Sequence, residues 1–385
     1  MERAIVHMDL DTFFVSCERL HNSKLDGIPV IIGGGDRGVV ASCSYEARHF
    51  GVRSAMPIRM ALRLCPQAKV VRGDHEMYAA LSHTVTEIIQ EKVPLLEKAS
   101  IDEFYLDLSG MDRFFGCYQW TKEIAEAVTK ESGLPISFAL STNKTVSKIG
   151  TGEAKPVGRL QLRAPEVKPF LNPLSIRKIP MVGDVTFQLL SRIGIRNIQT
   201  LAEMPVLVLQ QMIGKNGGEL WKKANGIDEN PVVPYSERKS ISTERTFTND
   251  TMDLPALRGI ITGMAEHLAY QLRKEKWLTS TVVLKIRYAN FDTETRQCRV
   301  GYTAADHTLS RCALDLFTKL YTRRMRIRLV GLRFTGLVHG NHQMDLFEDT
   351  EELMNLYQTM DRLKNRFGNT AVGRASGFEF EPFKG

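Results

Sequence analysis

The spacing of apolar and polar positions changes repeatedly along the chain, and each change marks an element. Residues 4–10 are an apolar run that ends on Asp9, which predicts a buried strand. Residues 11–20 then read as a helix, with Asp11 or Thr12 available as its cap. Strands are predicted at 29–32, 39–44 and 68–71, and helices at 45–51 and 56–65. Gly33-Gly34-Gly35 invites a phosphate-loop reading, but no Lys-Ser/Thr pair and no helix follow it. A flexible turn is expected there instead. Leu81, Val85, Ile88 and Ile89 recur at helical spacing within 78–92.

The next strand pair carries the most conspicuous chemistry. In Ala99-Ser100-Ile101-Asp102-Glu103-Phe104-Tyr105-Leu106-Asp107-Leu108 two adjacent carboxylates interrupt an apolar run that reads as strand, tight turn, strand. Neighbouring like charges repel, and desolvation adds to the cost. A divalent cation turns that repulsion into attraction. If the first strand lies beside this hairpin, Asp9, Asp102 and Glu103 converge on one hard-cation site; a solvated acidic turn is the plainer alternative. Asp107 lies further along and is assigned a local cap.

A helix is predicted at 117–131, a strand at 135–140, a helix at 144–149 and then a glycine-interrupted loop leading to Lys155-Pro156. This alternation suits an α+β sheet with helices on one face. From 165 to 234 short helices are broken by glycine, as in Met181-Val182-Gly183 and Gly214-Lys215-Asn216-Gly217-Gly218. Such turns suit either a sequence-neutral phosphate seat or a plain helical bundle. A proline-bearing, charged stretch near 231–239 reads as a linker. The pattern after it is β-α-β-β-α-β, the order of a ferredoxin-like module, with Lys and Arg alternating onto one sheet face. The tail holds Gln343-Met344-Asp345-Leu346-Phe347 and then a helix with Leu353, Leu356, Tyr357, Met360, Leu363 and Phe367 on one face.

At 385 residues the chain has room for two to four domains, and 43% hydrophobic with 25% charged residues suits a folded, non-membrane class. No apolar run is long enough to span a bilayer, and the early acidic residues do not suit a signal peptide. Cys17, Cys43, Cys65, Cys117, Cys298 and Cys312 are far apart in sequence, which argues against zinc and a disulfide framework and fits a cytoplasmic location. The net charge is +7, and residues 241–340 alone hold 16 Lys/Arg against 9 Asp/Glu. The tail from 341 reverses to 5 basic against 8 acidic residues. A basic block ahead of an acidic tail is expected if one module lies on a phosphate backbone.

Four motifs in order, Met8-Asp9-Leu10-Asp11-Thr12-Phe13-Phe14, Ser44-Tyr45-Glu46-Ala47-Arg48-His49-Phe50-Gly51-Val52, Ser100-Ile101-Asp102-Glu103-Phe104-Tyr105-Leu106-Asp107 and Ala154-Lys155-Pro156, carry a family resemblance. Over its first 340 residues the chain resembles the Y-family translesion DNA polymerases, most closely their bacterial members. The resemblance implies a multidomain α+β right-hand polymerase. Its ferredoxin-like palm takes in 1–10 and 77–165, its fingers 11–76, its helical thumb 166–232, a linker 233–240 and its little finger 241–340. An acidic tail at 341–385 follows. It implies deoxynucleotide transfer onto a primer 3′-OH on primer-template DNA, with low fidelity past damaged bases and two Mg²⁺ ions.

By the same resemblance, Asp9, Asp102 and Glu103 are catalytic metal ligands, joined by the carbonyl of Leu10. Ser42, Tyr45, Arg48 and Lys155 contact the incoming triphosphate, and Phe14 is the steric gate against a 2′-OH. Gln343, Leu346 and Phe347 resemble a sliding-clamp motif, and the protein is expected to be a monomer. Met181 stands where the family usually has glycine in a thumb hairpin, Ala139 where it has glycine in a palm strand, and Val157 where asparagine is common. Gly150 and Gly152 are expected to loosen the segment before Lys155. A non-catalytic, clamp-docked DNA-binding protein is the principal alternative, and a nucleotidyl cyclase a further one.

Overall fold

The computed structural model describes residues 3–35, 37–111, 116–234, 237–340, 351–368 and 371–377. The chain forms two compact units, residues 1–236 and 237–384. The first opens with β1 (Ile5–Leu10) and α1 (Phe13–His21). β2 (Val30–Ile32) and β3 (Ser42–Cys43) pair antiparallel; after α2 (Tyr45–His49) and α3 (Ile58–Leu64), β4 (Lys69–Val71) pairs parallel with β2. These three short strands have a core of their own, with Ile31, Val40, Ala47, Val52 and Ile58 buried together.

Next come α4 (His75–Gln90), β5 (Leu96–Lys98), β6 (Glu103–Asp107), α5 (Cys117–Ser132), β7 (Ile136–Ser141), α6 (Lys144–Ala154) and β8 (Arg159–Gln161). With β1 they build a five-stranded sheet in the order β5-β6-β1-β7-β8. Alternation along the central strands sorts the two faces. Val6, Met8 and Leu10 of β1, Phe104 and Leu106 of β6, and Ile136, Phe138 and Leu140 of β7 share a core with Tyr78, Val85 and Ile89 of α4 and Ile124 and Val128 of α5. The intervening positions, His7, Asp9, Glu103, Tyr105 and Ser137, occupy the opposite face.

Two features depart from the expected pattern. The periodicity left β8 out. It also ended α6 at 149, whereas the helix continues through Gly150 and Gly152 to Ala154. Close packing accounts for this: a Cβ built at Gly150 would lie 2.9 Å from the Cβ of Ala139 on β7. Glycine on the helix makes room for alanine on the strand.

α7 (Ala164–Leu171), α8 (Asp184–Arg192), α9 (Ile198–Glu203), α10 (Val206–Ile213) and α11 (Lys215–Ala224) follow, around a core that includes Leu171, Ile179, Leu190, Ile198 and Leu209. Met181, in the turn before α8, has φ +87° and is 62% exposed.

The second unit contains β9 (Ser240–Thr251), α12 (Leu254–Lys274), β10 (Trp277–Tyr288), β11 (Thr293–Thr303), α13 (Asp306–Leu320), β12 (Ile327–His339) and α14 (Glu351–Phe367). Its sheet is antiparallel throughout, in the order β11-β10-β12-β9. Val282, Leu284 and Ile286 of β10 pack in a core with Leu257, Ile261 and Met264 of α12 and Leu309 and Phe317 of α13. The alternate positions Lys285 and Arg287 face away from that core, with Arg333 of β12 beside them, opposite Val283.

The tail helix packs through only part of its apolar stripe. Of the apolar stripe on α14, Tyr357 is buried, whereas Leu356, Leu363 and Phe367 are exposed; Lys364, outside the stripe, is buried. The side chain of Leu353 lies outside the described residues. What α12 and α13 offer α14 is largely polar, and α14 meets them with Tyr357 and its polar residues. Arg273 donates to Asp361 at 2.7 and 2.8 Å, Tyr270 donates to Asn365 at 2.6 Å, and His307 Nδ1 lies 2.7 Å from the Tyr357 hydroxyl. Among the described residues no helix is long and apolar enough to cross a membrane.

Candidate active site

The register of the central strands assembles the carboxylates. β1 and β6 run antiparallel with Asp9 opposite Glu103 and His7 opposite Tyr105. Residues directly opposite share a face, so the Asp9 and Glu103 side chains are neighbours, an arrangement that costs stability when both are charged. Asp102 ends the preceding turn. Its carbonyl accepts from the Leu10 N–H at 3.0 Å, which ties the turn to the end of β1. The Ser100 hydroxyl donates to the Asp102 carboxylate at 2.6 Å and accepts from the Glu103 N–H at 3.0 Å.

Two lysines oppose this negative charge. Lys155 is ion-paired with Asp9, and Lys148 of α6 donates to both Glu103 oxygens at 2.7 and 2.6 Å. Burial pushes the Asp9 carboxyl up to about 6; Lys155 pulls the other way, while Asp102 and Glu103 add to the rise. His7 is buried with neither ring nitrogen hydrogen-bonded, and its Nε2 is 3.9 Å from Glu103. Burial, and then the charges of Lys148, Lys155 and Lys144, hold it well below the usual histidine range, so it is neutral. Among the described residues no three acidic, His or Cys side chains already stand in a metal-holding group. The donor set nevertheless fits a hard cation: desolvated carboxylate oxygens that repel one another and are balanced by ammonium groups.

Asp11 departs from the capping role open to it. Thr12 is the residue before α1, has left-handed backbone and makes no side-chain cap bond. The Asp11 carboxylate is buried and accepts from the Tyr45 hydroxyl at 3.3 Å, from Ser137 Oγ at 2.7 Å and from the Val157 N–H at 2.7 Å. Lys155 Nζ lies 3.8 Å away. Asp11 thus knots α2, β7 and the loop after α6 beside Asp9. Asp107 accepts from the Ser109 N–H at 2.9 Å, a local bond as expected.

The other expected residues fall around this knot. Tyr45 meets it through Asp11, and the Arg48 guanidinium lies 5.0 Å from the Tyr45 ring centroid. Burial and the nearby Asp11 raise the Tyr45 phenol above its usual range. Ser42 is half-buried on β3, opposite Ile32. Phe14 stacks on Tyr78 with ring centroids 4.4 Å apart and planes inclined by 14°. Tyr78 in turn donates to the buried Glu18 at 2.5 Å. Gln343, Leu346 and Phe347 lie outside the described residues.

Sequence reasoning missed Lys148, Glu18 and the knot at Asp11. Lys148 had a usable signal, since it precedes Lys155 by two helical turns. That spacing has meaning only if α6 continues past its glycines, which the pattern did not suggest.

The impB/mucB/samB family matches residues 8–152, and the impB/mucB/samB family C-terminal domain matches residues 238–346. A protein named DNA polymerase IV from Dehalococcoides mccartyi is 35% identical over 375 residues, which span 96% of either chain. DNA polymerase IV of Halorhodospira halophila is 36% identical over 90% of this chain and 98% of its own. DNA polymerase IV 2 of Methanosarcina mazei is 35% identical over 90% of this chain and 96% of its own. In fold, the chain is similar to a Y-family DNA polymerase chimera, with a TM-score of 0.78 and 24% identity over 88% of this chain and all of that one. With both units matched, the chain belongs to the impB/mucB/samB family, alongside the DNA polymerase IV proteins.

Proposed function

We propose that this protein is a template-directed DNA polymerase that adds deoxynucleotides to a primer 3′-OH and tolerates damaged template bases. The carrying observation is the placement of Asp9 opposite Glu103, with Asp102 at the adjoining turn and Lys155 against them. Asp9, Asp102, Glu103 and the carbonyl of Leu10 would hold two Mg²⁺ ions, which supply positive charge to a primer oxygen and to the leaving pyrophosphate. Lys155 and Arg48 bind the triphosphate as point charge and planar fork, with Ser42 and Tyr45 adding hydroxyl contacts. Lys155 has a carboxylate partner within reach and can exchange it for phosphate as nucleotide arrives.

Phe14 excludes a 2′-hydroxyl. Its stacking on Tyr78, itself held by Glu18, supports that role by fixing the ring plane. Residues 1–10 and 77–165 act as palm, 11–76 as fingers, 166–232 as thumb and 241–340 as little finger, with 233–240 between them. The face with Lys285, Arg287 and Arg333 lies along phosphates, and residues 343–347 dock a sliding clamp. The protein works as a cytoplasmic monomer.

The test is incubation with Mg²⁺, primer-template DNA and all four deoxynucleotides. Growth in the order dictated by an undamaged template, and continued growth past a lesion, is expected. DNA binding without growth would favour the non-catalytic alternative, and cyclic product from a lone nucleotide would favour a cyclase. Phe14→Ala is expected to raise ribonucleotide use relative to deoxynucleotide use by tenfold or more, on the order of 1.4 kcal/mol of discrimination. An unchanged ratio would remove Phe14 from the gate.

A further inference from the structure

The fold brings together two cysteines that the sequence keeps apart. Cys298 lies on β11, the edge strand of the second sheet, and Cys312 lies on α13. Their sulfurs are 2.7 Å apart, and both are free thiols. The pair is asymmetric: Cys298 is half-buried and Cys312 is 8% exposed. Both line a cavity of about 210 Å³ open to solvent, with Thr308, Arg311, Asp315 and Lys319 in its wall. A small polar oxidant fits such a space, which is several times the ~30 Å³ share of a water molecule. The other four cysteines, Cys17, Cys43, Cys65 and Cys117, are all buried.

We propose that Cys298 and Cys312 form a reversible dithiol–disulfide site, oxidised by a hydroperoxide that enters this cavity. Cys298 is the sulfur that reacts first, because it is the more accessible. Its sulfur attacks one peroxide oxygen, an S–O bond forms and the O–O bond breaks. The departing oxygen leaves as water, or as an alcohol, with the thiol proton. The sulfur of Cys312 then attacks the sulfenic sulfur of Cys298, an S–S bond forms, the S–O bond breaks, and hydroxide leaves with the second thiol proton as water. Two thiols lose two electrons in all and the peroxide gains two.

The asymmetry supports that order. Burial, followed by the contact with Cys298, pushes the Cys312 thiol up to about 12, so in the reduced pair it is held as the thiol. The two sulfurs already lie inside van der Waals contact, and the disulfide brings them to the ~2.05 Å of the covalent bond. The product would pin edge strand β11 to α13, where Arg296 already donates to the Lys319 carbonyl at 2.7 Å.

The test exposes the full chain to hydrogen peroxide under native conditions. Intact mass is read first; remaining thiols are then capped by alkylation in denaturant without reductant, and the product is peptide-mapped. Two of the six thiols are expected to resist alkylation. The protein should be lighter by two hydrogen atoms and yield a peptide joining residues 298 and 312, and dithiothreitol should reverse all of this. Cys298→Ser and Cys312→Ser should each abolish the linked peptide. The half-buried position of Cys298 makes its variant the one to rely on if Cys312→Ser does not fold. Retention of all six thiols, conversion of Cys298 to a sulfinic acid while Cys312 stays alkylatable, or a linkage through any other cysteine would each overturn the proposal.

Discussion

Val157 stores strain beside the candidate site, and the cost of that strain can be measured. Its φ is +49°, a left-handed conformation that β-branched residues strongly disfavour. The backbone has little freedom to relax. The Val157 N–H is held by the buried Asp11 carboxylate at 2.7 Å, and a Cβ built on the next residue, Gly158, would lie 1.7 Å from the Ala154 carbonyl oxygen. The valine side chain gains little in return, being 59% exposed. A non-glycine residue held there costs on the order of 1–2 kcal/mol, and asparagine tolerates the conformation better than valine does. Val157→Asn is therefore expected to stabilise the fold by about 1 kcal/mol. For a unit of this size that corresponds to a rise of roughly 2–4 °C in its melting transition. Val157→Gly relieves the same strain but gives back about 0.5–1 kcal/mol through the freer unfolded chain, so it should gain less. Thermal unfolding of the three proteins side by side is the assay. If Val157→Asn melts at or below the wild type, backbone strain at this loop is not the governing cost.

Two further substitutions probe the same physics elsewhere. Met181 has φ +87° and is 62% exposed, so Met181→Gly should relieve strain of about 1 kcal/mol and tighten DNA binding through the turn before α8; weaker binding in a salt titration would refute this. Asp9, with its carboxyl near 6 in the folded chain against 3.8 ordinarily, binds more protons folded than unfolded, so its charge lowers stability increasingly as pH rises from about 4 through 6. Asp9→Asn should therefore stabilise the metal-free protein at pH 8 by on the order of 1–3 kcal/mol, with the gain vanishing near pH 4, as urea unfolding at the two pH values would reveal. A gain that does not depend on pH would show that the carboxylate's charge is not its source.

What the sequence made legible was local pattern; what it hid was tertiary accommodation. The apolar run into Asp9 and the strand-turn-strand around Asp102 and Glu103 could be read directly, because alternation and turn residues are local signals. Their adjacency required β1 to lie beside β6, a pairing that the pattern raised only as a condition. The end of α6 was misjudged because glycine normally weakens a helix, whereas here Gly150 is the residue that lets the helix approach Ala139. That error concealed Lys148. Which residues of the α14 stripe would pack was not legible, because the surface awaiting this helix is lined by Tyr270, Arg273 and His307 and takes Tyr357 rather than Leu356, Leu363 or Phe367. Asp11 looked like a cap because acidic residues commonly start helices, but three donors from distant segments claim its carboxylate.

In the proposed polymerase, the carboxylates gathered by β1 and the β5–β6 turn carry out nucleotide transfer rather than hold the fold or the DNA. Single-turnover primer extension in Mg²⁺ by Asp102→Ala and Glu103→Ala, with DNA affinity measured on the same samples, tests it most directly. A loss of at least 10³-fold in the extension rate, about 4 kcal/mol of barrier, is expected, with DNA affinity changed by less than about tenfold. Extension at the wild-type rate by both variants would contradict it.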